Sequence, residues 1–156
     1  MTEDNNVRLL QTAGDIMTTH PACCTPETPL QRVAQLMVLQ DCGEIPIVQD
    51  EDSLIPIGVV TDRDIVCRIV ARGKNPLDHT AEACMSQPVI TVDENMLMED
   101  LLSVMEKHQV RRVPVVNARG RCVGVVSQAD VAWKGQQKEV SDLVREVSRD
   151  TDSPSR

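Results

Sequence analysis

The chain has 156 residues, a formal charge of −8 and 41% hydrophobic residues, yet it holds no Phe or Tyr and only one Trp. That length supports a real core, which must be built from Val, Ile, Leu, Met and Ala. The acidic balance and the missing aromatics exclude a nucleic-acid platform, which needs clustered cations and stacking faces; a small anionic ligand stays possible, since it needs only local cations and free backbone N–H groups.

The first residues, MTEDNNVRLLQ, show no basic region followed by an apolar one, and no apolar run approaches the eighteen or so residues of a membrane span. A cytoplasmic protein with no membrane contact is expected. Six cysteines, at 23, 24, 42, 67, 84 and 122, contain no C-x-x-C. In that compartment they are expected as reduced, small hydrophobes, with little support for a disulfide framework or a structural zinc.

An internal repeat fills most of the chain. A shift of 68 residues aligns Thr12-Ala13 with Thr80-Ala81, Met17-Thr18 with Met85-Ser86, Met37 with Met105, and Ile45-Pro46-Ile47-Val48 with Val113-Pro114-Val115-Val116. Further on the shift becomes 66, as Gly58 aligns with Gly124, so one turn of the first copy is longer by two residues.

In chain order, each copy opens on a short leading strand. Leu30, Val33, Ala34 and Met37 then recur at helical spacing, as do Met98, Leu101, Leu102 and Met105, which predicts one amphipathic helix per copy. Apolar, β-branched runs at Ile45 to Val48 and Ile57 to Val60 predict two strands joined by the turn Gln49 to Ser53; their counterparts are Val113 to Val116 and Cys122 to Val126, joined by Asn117 to Gly120. Pro as the second residue of the leading member of each pair suggests an edge or a strand start. A second helix begins after Thr61 and after Ser127; in the first copy it carries Ile65, Val66, Ile69 and Val70 and ends near Gly73, with Asn75-Pro76 as a breaker. Each copy is about sixty residues, a marginal size for a lone core, so the two are expected to pack together. Beyond them, Val140, Leu143, Val144 and Val147 make a helical stripe ahead of a polar tail, expected to dock on the parent domain.

The phrases Gly58-Val59-Val60-Thr61-x-x-Asp64 and Gly124-Val125-Val126-Ser127-x-x-Asp130 close the two copies. A hydroxyl at a helix start with a carboxylate three residues on has the spacing of a capping box, and needs no ligand. The same geometry suits a ligand equally well. Free N–H groups at a helix start favour a phosphate, and an ionised carboxylate, with two acceptor oxygens, suits the adjacent hydroxyls of a ribose.

With these phrases, Asp15-Ile16-Met17-Thr18, Cys84-Met85-Ser86 and the two Ile/Val-Pro strands, the chain resembles a tandem pair of cystathionine-β-synthase (CBS) domains, the Bateman module, over about residues 12 to 135. The resemblance implies an α/β (α+β) fold in which two β-α-β-β-α repeats pack with pseudo-twofold symmetry, and it divides the chain into CBS domain 1 (12–73), CBS domain 2 (80–135), an extension at 1–11 and a C-terminal helix and polar tail at 136–156. It implies a stand-alone, bacterial-type regulatory protein, with no room for a fused catalytic domain, usually a homodimer acting on a separate protein partner. Such modules bind adenine ligands (AMP, ADP, ATP, NAD or S-adenosylmethionine) between the repeats. No catalytic cofactor is expected, and the chief alternative is a structural or interaction module with empty pockets.

Carried over by position, the resemblance assigns Thr61, Arg63 and Asp64 to a first site and Ser127 and Asp130 to a second, each Asp holding ribose. Arg111 and Arg112 precede a strand where related modules often place cations against phosphates; the matching Gly43 and Glu44 depart from that pattern, so the two clefts are expected to differ. Base-facing groups are expected in the leading segments, Thr18, His20 and Ala22 in one copy and Ser86 and Ile90 in the other. His20 beside Cys23 and Cys24 offers three possible metal ligands but no fourth at a familiar spacing, so no metal site is expected. His79 and His108 are expected to face solvent. No nucleophile is placed beside a base in a recognisable motif, and no enzyme activity is expected.

Overall fold

A computed structural model describes residues 11–133, so the stripe at Val140 to Val147 and residues 1–10 lie outside the described residues. The first repeat runs through α1 (Ala13–Ile16), β1 (Thr18–Thr19), α2 (Leu30–Gln40), β2 (Glu44–Val48), β3 (Pro56–Thr61) and α3 (Asp62–Arg68). The second runs through β4 (Val92–Asp93), α4 (Met98–His108), β5 (Arg112–Val116) and β6 (Cys122–Ser127), and a final helix, α5, opens at residue 128. Short 3-10 turns at Val70–Arg72, Pro76–Asp78 and Ala81–Ala83 join the repeats. Among the described residues no helix is long and apolar enough to cross a membrane.

Each long helix buries one stripe and stops at the same place. α2 buries Leu30, Val33, Leu36 and Met37 and ends on Asp41 in the left-handed region; α4 buries Leu101 and Met105 and ends on Gln109, also left-handed. Left-handed residues terminate helices because the chain turns away while the last carbonyls are still satisfied. Leu102, expected in the packed stripe, is instead 45% exposed. Ile45, Ile47 and Val60 complete one aliphatic core with the α2 stripe, and Val92, Val113, Val115 and Val126 complete the other with α4. A fully buried side chain of this kind contributes about 1.5–3 kcal/mol.

The hairpins align residue for residue. Antiparallel β2 and β3 pair from Glu44 with Thr61 to Val48 with Pro56, and β5 and β6 from Arg112 with Ser127 to Val116 with Cys122. Glu44 and Arg112 therefore occupy the same point of their two sheets. Pro114 does not lie on an edge: β5 is an inner strand of the order β1-β6-β5-β4, and its parallel pairing with β4 starts one residue later, at Val115.

The leading segments change partners. β1 of the first repeat pairs with β6 of the second, Thr18 with Val125 and Thr19 with Gly124, while Ser86 of the second repeat exchanges backbone hydrogen bonds of 2.8 and 3.1 Å with Val59 of β3. Afterwards each chain segment returns to its own repeat, where Cys24 bridges to Ile47 and β4 pairs with β5. The repeated glycines make this crossing possible. A Cβ on Gly58 would lie 2.9 Å from the Ser86 carbonyl oxygen, and one on Gly124 would lie 2.9 Å from that of Thr18; strand glycines mark such close backbone approach. The longer turn of the first repeat adds another tie, since its Leu54 and Asp52 carbonyls accept hydrogen bonds from the Cys122 N–H (2.8 Å) and the Arg121 guanidinium (2.9 Å).

Candidate functional site

Both phrases are capping boxes. The Asp64 N–H donates to Thr61 Oγ1 and the Thr61 N–H to Asp64 Oδ2, each at 3.0 Å; Asp130 N–H donates to Ser127 Oγ and Ser127 N–H to Asp130 Oδ2, again at 3.0 Å. Each pair satisfies two N–H groups that the start of a helix leaves unpaired. The Thr12 N–H makes the same bond to Asp15 at 2.8 Å, away from either cavity described below, so this spacing alone marks no site.

Capping uses one oxygen of each carboxylate, and the two copies differ in what meets the rest. Ser86 Oγ donates to Asp64 at 3.2 Å from both oxygens, and the Arg68 Nε lies 3.7 Å away. Among the described residues Asp130 has no such neighbours and its Oδ1 accepts no hydrogen bond; it lines a recess of about 100 Å³ with Thr18, Ala22, Ile45, Pro46, Glu44 and Arg112. Because β1 crosses over, this recess is walled by the first repeat and floored by the second.

Beside it lies a groove of about 800 Å³ between the two repeats. The starts of α3 and α5 both open into it, bringing Thr61, Asp62 and Arg63 together with Ser127, Gln128 and Ala129, and Gly43 and Glu44 with Arg111 and Arg112. The phosphate-side groups expected in two separate sites thus share one groove, and Arg63 stands with Arg111 and Arg112 rather than serving one cleft. Glu44 and Arg112 line both the recess and the groove. Burial pushes the Glu44 carboxyl up to about 7, against the pull of Arg112 and with the Asp64 charge adding to the rise. The recess alone falls below the roughly 300–1,000 Å³ of ordinary ligand pockets, whereas recess and groove together reach it.

Of the other residues expected in the site, Asp64 and Ser86 are joined to each other, Ile90 is half-buried away from both cavities, and His20 is exposed with a φ of 51°. His108 is exposed and His79 half-buried. Pro21 lines the recess from within the expected leading segment, between His20 and Ala22, whereas sequence reasoning missed Gln40 at the end of α2, Cys42 just before β2 and Val125 of β6. All six cysteines are free, and among the described residues no three His, Cys, Asp or Glu side chains are grouped to hold a metal ion.

The CBS domain profile matches residues 13–71 and 81–134. This chain belongs to the CBS domain family. It is 42% identical over 138 residues to Hypoxic response protein 1 of Mycobacterium tuberculosis, an alignment that spans 88% of this chain and 94% of that protein. The crystal structure of that protein, described as having two coordinated zinc ions, superposes with a TM-score of 0.69 over 78% of this chain and 96% of its own. The CBS domain pair of protein MJ0100, solved with 5-methylthioadenosine and S-adenosyl-L-methionine, is 26% identical and superposes with a TM-score of 0.72, covering 83% of this chain and 98% of that one. The described architecture is thus that of a CBS domain pair, with both repeats present.

Proposed function

We propose that this chain is a regulatory module that takes an adenine nucleoside or nucleotide (AMP, ADP, ATP, NAD or S-adenosylmethionine) in the Asp130 recess and signals its occupancy to a partner protein, without catalysing a reaction. The observation that carries this is the Asp130 carboxylate, which lines a recess built from both repeats, holds the helix cap through Oδ2 and, among the described residues, accepts no hydrogen bond at Oδ1. Two ribose hydroxyls would meet that oxygen, the base would lie against Ala22, Ile45 and Pro46, and a 5′ substituent would reach the groove past Glu44 and Arg112. A ligand there ties the first repeat to the second, so it favours one packing of the repeats, which is the differential binding that regulation requires. The adenosine-type ligands of the MJ0100 domain pair support the ligand class. A homodimer fits the exposed Val38 and Leu39 of α2 and Val66 of α3, apolar side chains of the kind that interfaces cover.

The alternative, a module that holds no ligand, is favoured only for the Asp64 side, where Ser86 and Arg68 already occupy the carboxylate. A thermal-shift panel of AMP, ADP, ATP, NAD and S-adenosylmethionine tests the proposal. A ligand at 100 times its dissociation constant adds about 2.7 kcal/mol of stability. No stabilisation by any of the five at millimolar concentration would overturn it.

A further inference from the structure

Glu44 lies where the second repeat has Arg112, and both side chains stand on the boundary between the recess and the groove. A 5′ substituent on a nucleoside held by Asp130 has to pass this pair. We propose that Glu44 sets the charge preference of the Asp130 recess, favouring adenine nucleosides with a neutral or cationic 5′ substituent over 5′-phosphates. The proposal rests on the reading that the recess takes an adenine nucleoside, and goes beyond it by naming the member of that class.

The argument is one of burial and opposition. Arg63 and Arg111 are exposed, so water and salt screen their attraction for a phosphate. Arg112 is half-buried, and its charge acts more strongly, but Glu44 beside it is half-buried as well. With Glu44 ionised the pair is neutral; exposed Asp62 is screened like Arg63 and Arg111, and the half-buried charges near the boundary include the carboxylates of Asp64 and Asp130. A phosphate then gains little and a sulfonium or ammonium gains something. With Glu44 protonated, Arg112 is unopposed and a phosphate is drawn in. Among the described residues, Cys42 of the recess wall and Arg68 beside Asp64 are further titratable groups near this boundary. Because burial holds the Glu44 carboxyl up at about 7, the preference turns over near neutral pH.

The test is titration calorimetry of the full chain with AMP and with 5′-methylthioadenosine, at pH 6 and pH 8, for the wild type and for Glu44→Gln. The wild type is expected to bind AMP about tenfold more weakly relative to methylthioadenosine at pH 8 than at pH 6, and Glu44→Gln to remove most of that difference. A phosphate monoester itself titrates near pH 6, and the pH dependence left in Glu44→Gln measures that contribution. The same ligand ratio in wild type and variant at pH 8 would overturn the proposal. If Glu44→Gln does not fold, the wild-type profile decides: a ratio that does not change between the two pH values overturns it. Absence of binding by both ligands at both pH values would instead bring down the underlying reading, and the charge preference with it.

Discussion

Glu44 and Arg112 stand at one point of two equivalent sheets and carry opposite charges; Asp64 and Asp130 stand at one point of two equivalent helix starts and carry the same one. The second pair is kept alike by folding, since each carboxylate closes a cap. Among the described residues its members still diverge in what surrounds them, a serine and an arginine beside Asp64 and a recess lined by Asp130 on the other side. Duplication therefore preserves the atoms that build each unit and leaves the atoms facing the shared cleft free to differ. Among the described residues, one scaffold yields one carboxylate with partners beyond its cap and one held by its cap alone.

The largest expected effect probes whether the repeats are one cooperative unit. Leu30 and Leu101 are fully buried in the two separate cores, and replacing either by Ala is expected to cost about 2–5 kcal/mol. Because β1 lies on β6 and Ser86 on β3, both variants should lower a single melting transition. Two resolved transitions in calorimetry would show that the crossing segments do not couple the halves.

Next comes the contrast between the carboxylates. Removing a hydrogen-bonding charged partner costs about 1.5–3 kcal/mol, so Asp130→Ala is expected to weaken nucleoside binding by roughly 10- to 100-fold. Asp64→Ala is expected to change that affinity by less than about threefold, although each variant loses a cap worth about 1 kcal/mol. Calorimetric titration of both separates the two, and equal losses would break the asymmetry.

A smaller effect follows the difference between the sheets. The folded Glu44 carboxyl titrates at about 7 against an ordinary value of 4.5, so between those values the folded state binds the extra proton. Its contribution to stability is whole below pH 4.5 and lost as pH rises through 7. Glu44→Gln, which has no such loss, is expected to match the wild type at pH 4.5 and to exceed it at pH 8 by about 2 kcal/mol, a figure discounted for the water that reaches a half-buried group. Melting temperatures across that range check it, and parallel curves would remove Glu44 from the explanation.

Much of this was legible in the residues. The 68-residue repeat, the helix stripes, the hairpins and the charge change at Glu44 follow from periodicity and alignment. The crossing of the leading segments did not, because a two-residue strand such as Thr18–Thr19 carries no pattern that names its partner. Gly58 and Gly124 were the available signal: a glycine inside an apolar strand asks which backbone comes close, and the answer is the other repeat. The Ser86 contact to Asp64, and the meeting of Arg63 with Arg111 and Arg112 in one groove, depend on that crossing and on the packing of the halves. No spacing within a copy encodes them.

The smallest expected effect tests whether Ser86 is what closes the Asp64 side. Arg68 is the weaker occupant, since its side chain is 46% exposed and exposed ion pairs contribute about 0–1 kcal/mol. Ser86 donates from the crossing segment to a carboxylate only 13% exposed, so its hydroxyl contributes about 1 kcal/mol by the ordinary measure of a buried hydrogen bond. Ser86→Ala is expected to lower stability by that amount and to free an acceptor for a second nucleoside, strengthening binding at this side by about fivefold. Ser86→Thr keeps the hydroxyl and is expected to leave both quantities near wild type, even though Thr18 is the residue found at the matching point of the open recess. That expectation separates the hydroxyl from its setting. Thr18 is exposed on the edge strand beside β6 and makes no bond to Asp130, whereas Ser86 is half-buried and faces Asp64 directly. Titration of the three chains for a second binding event, with melting curves alongside, decides whether one hydroxyl or the wider cleft makes the two sides unequal.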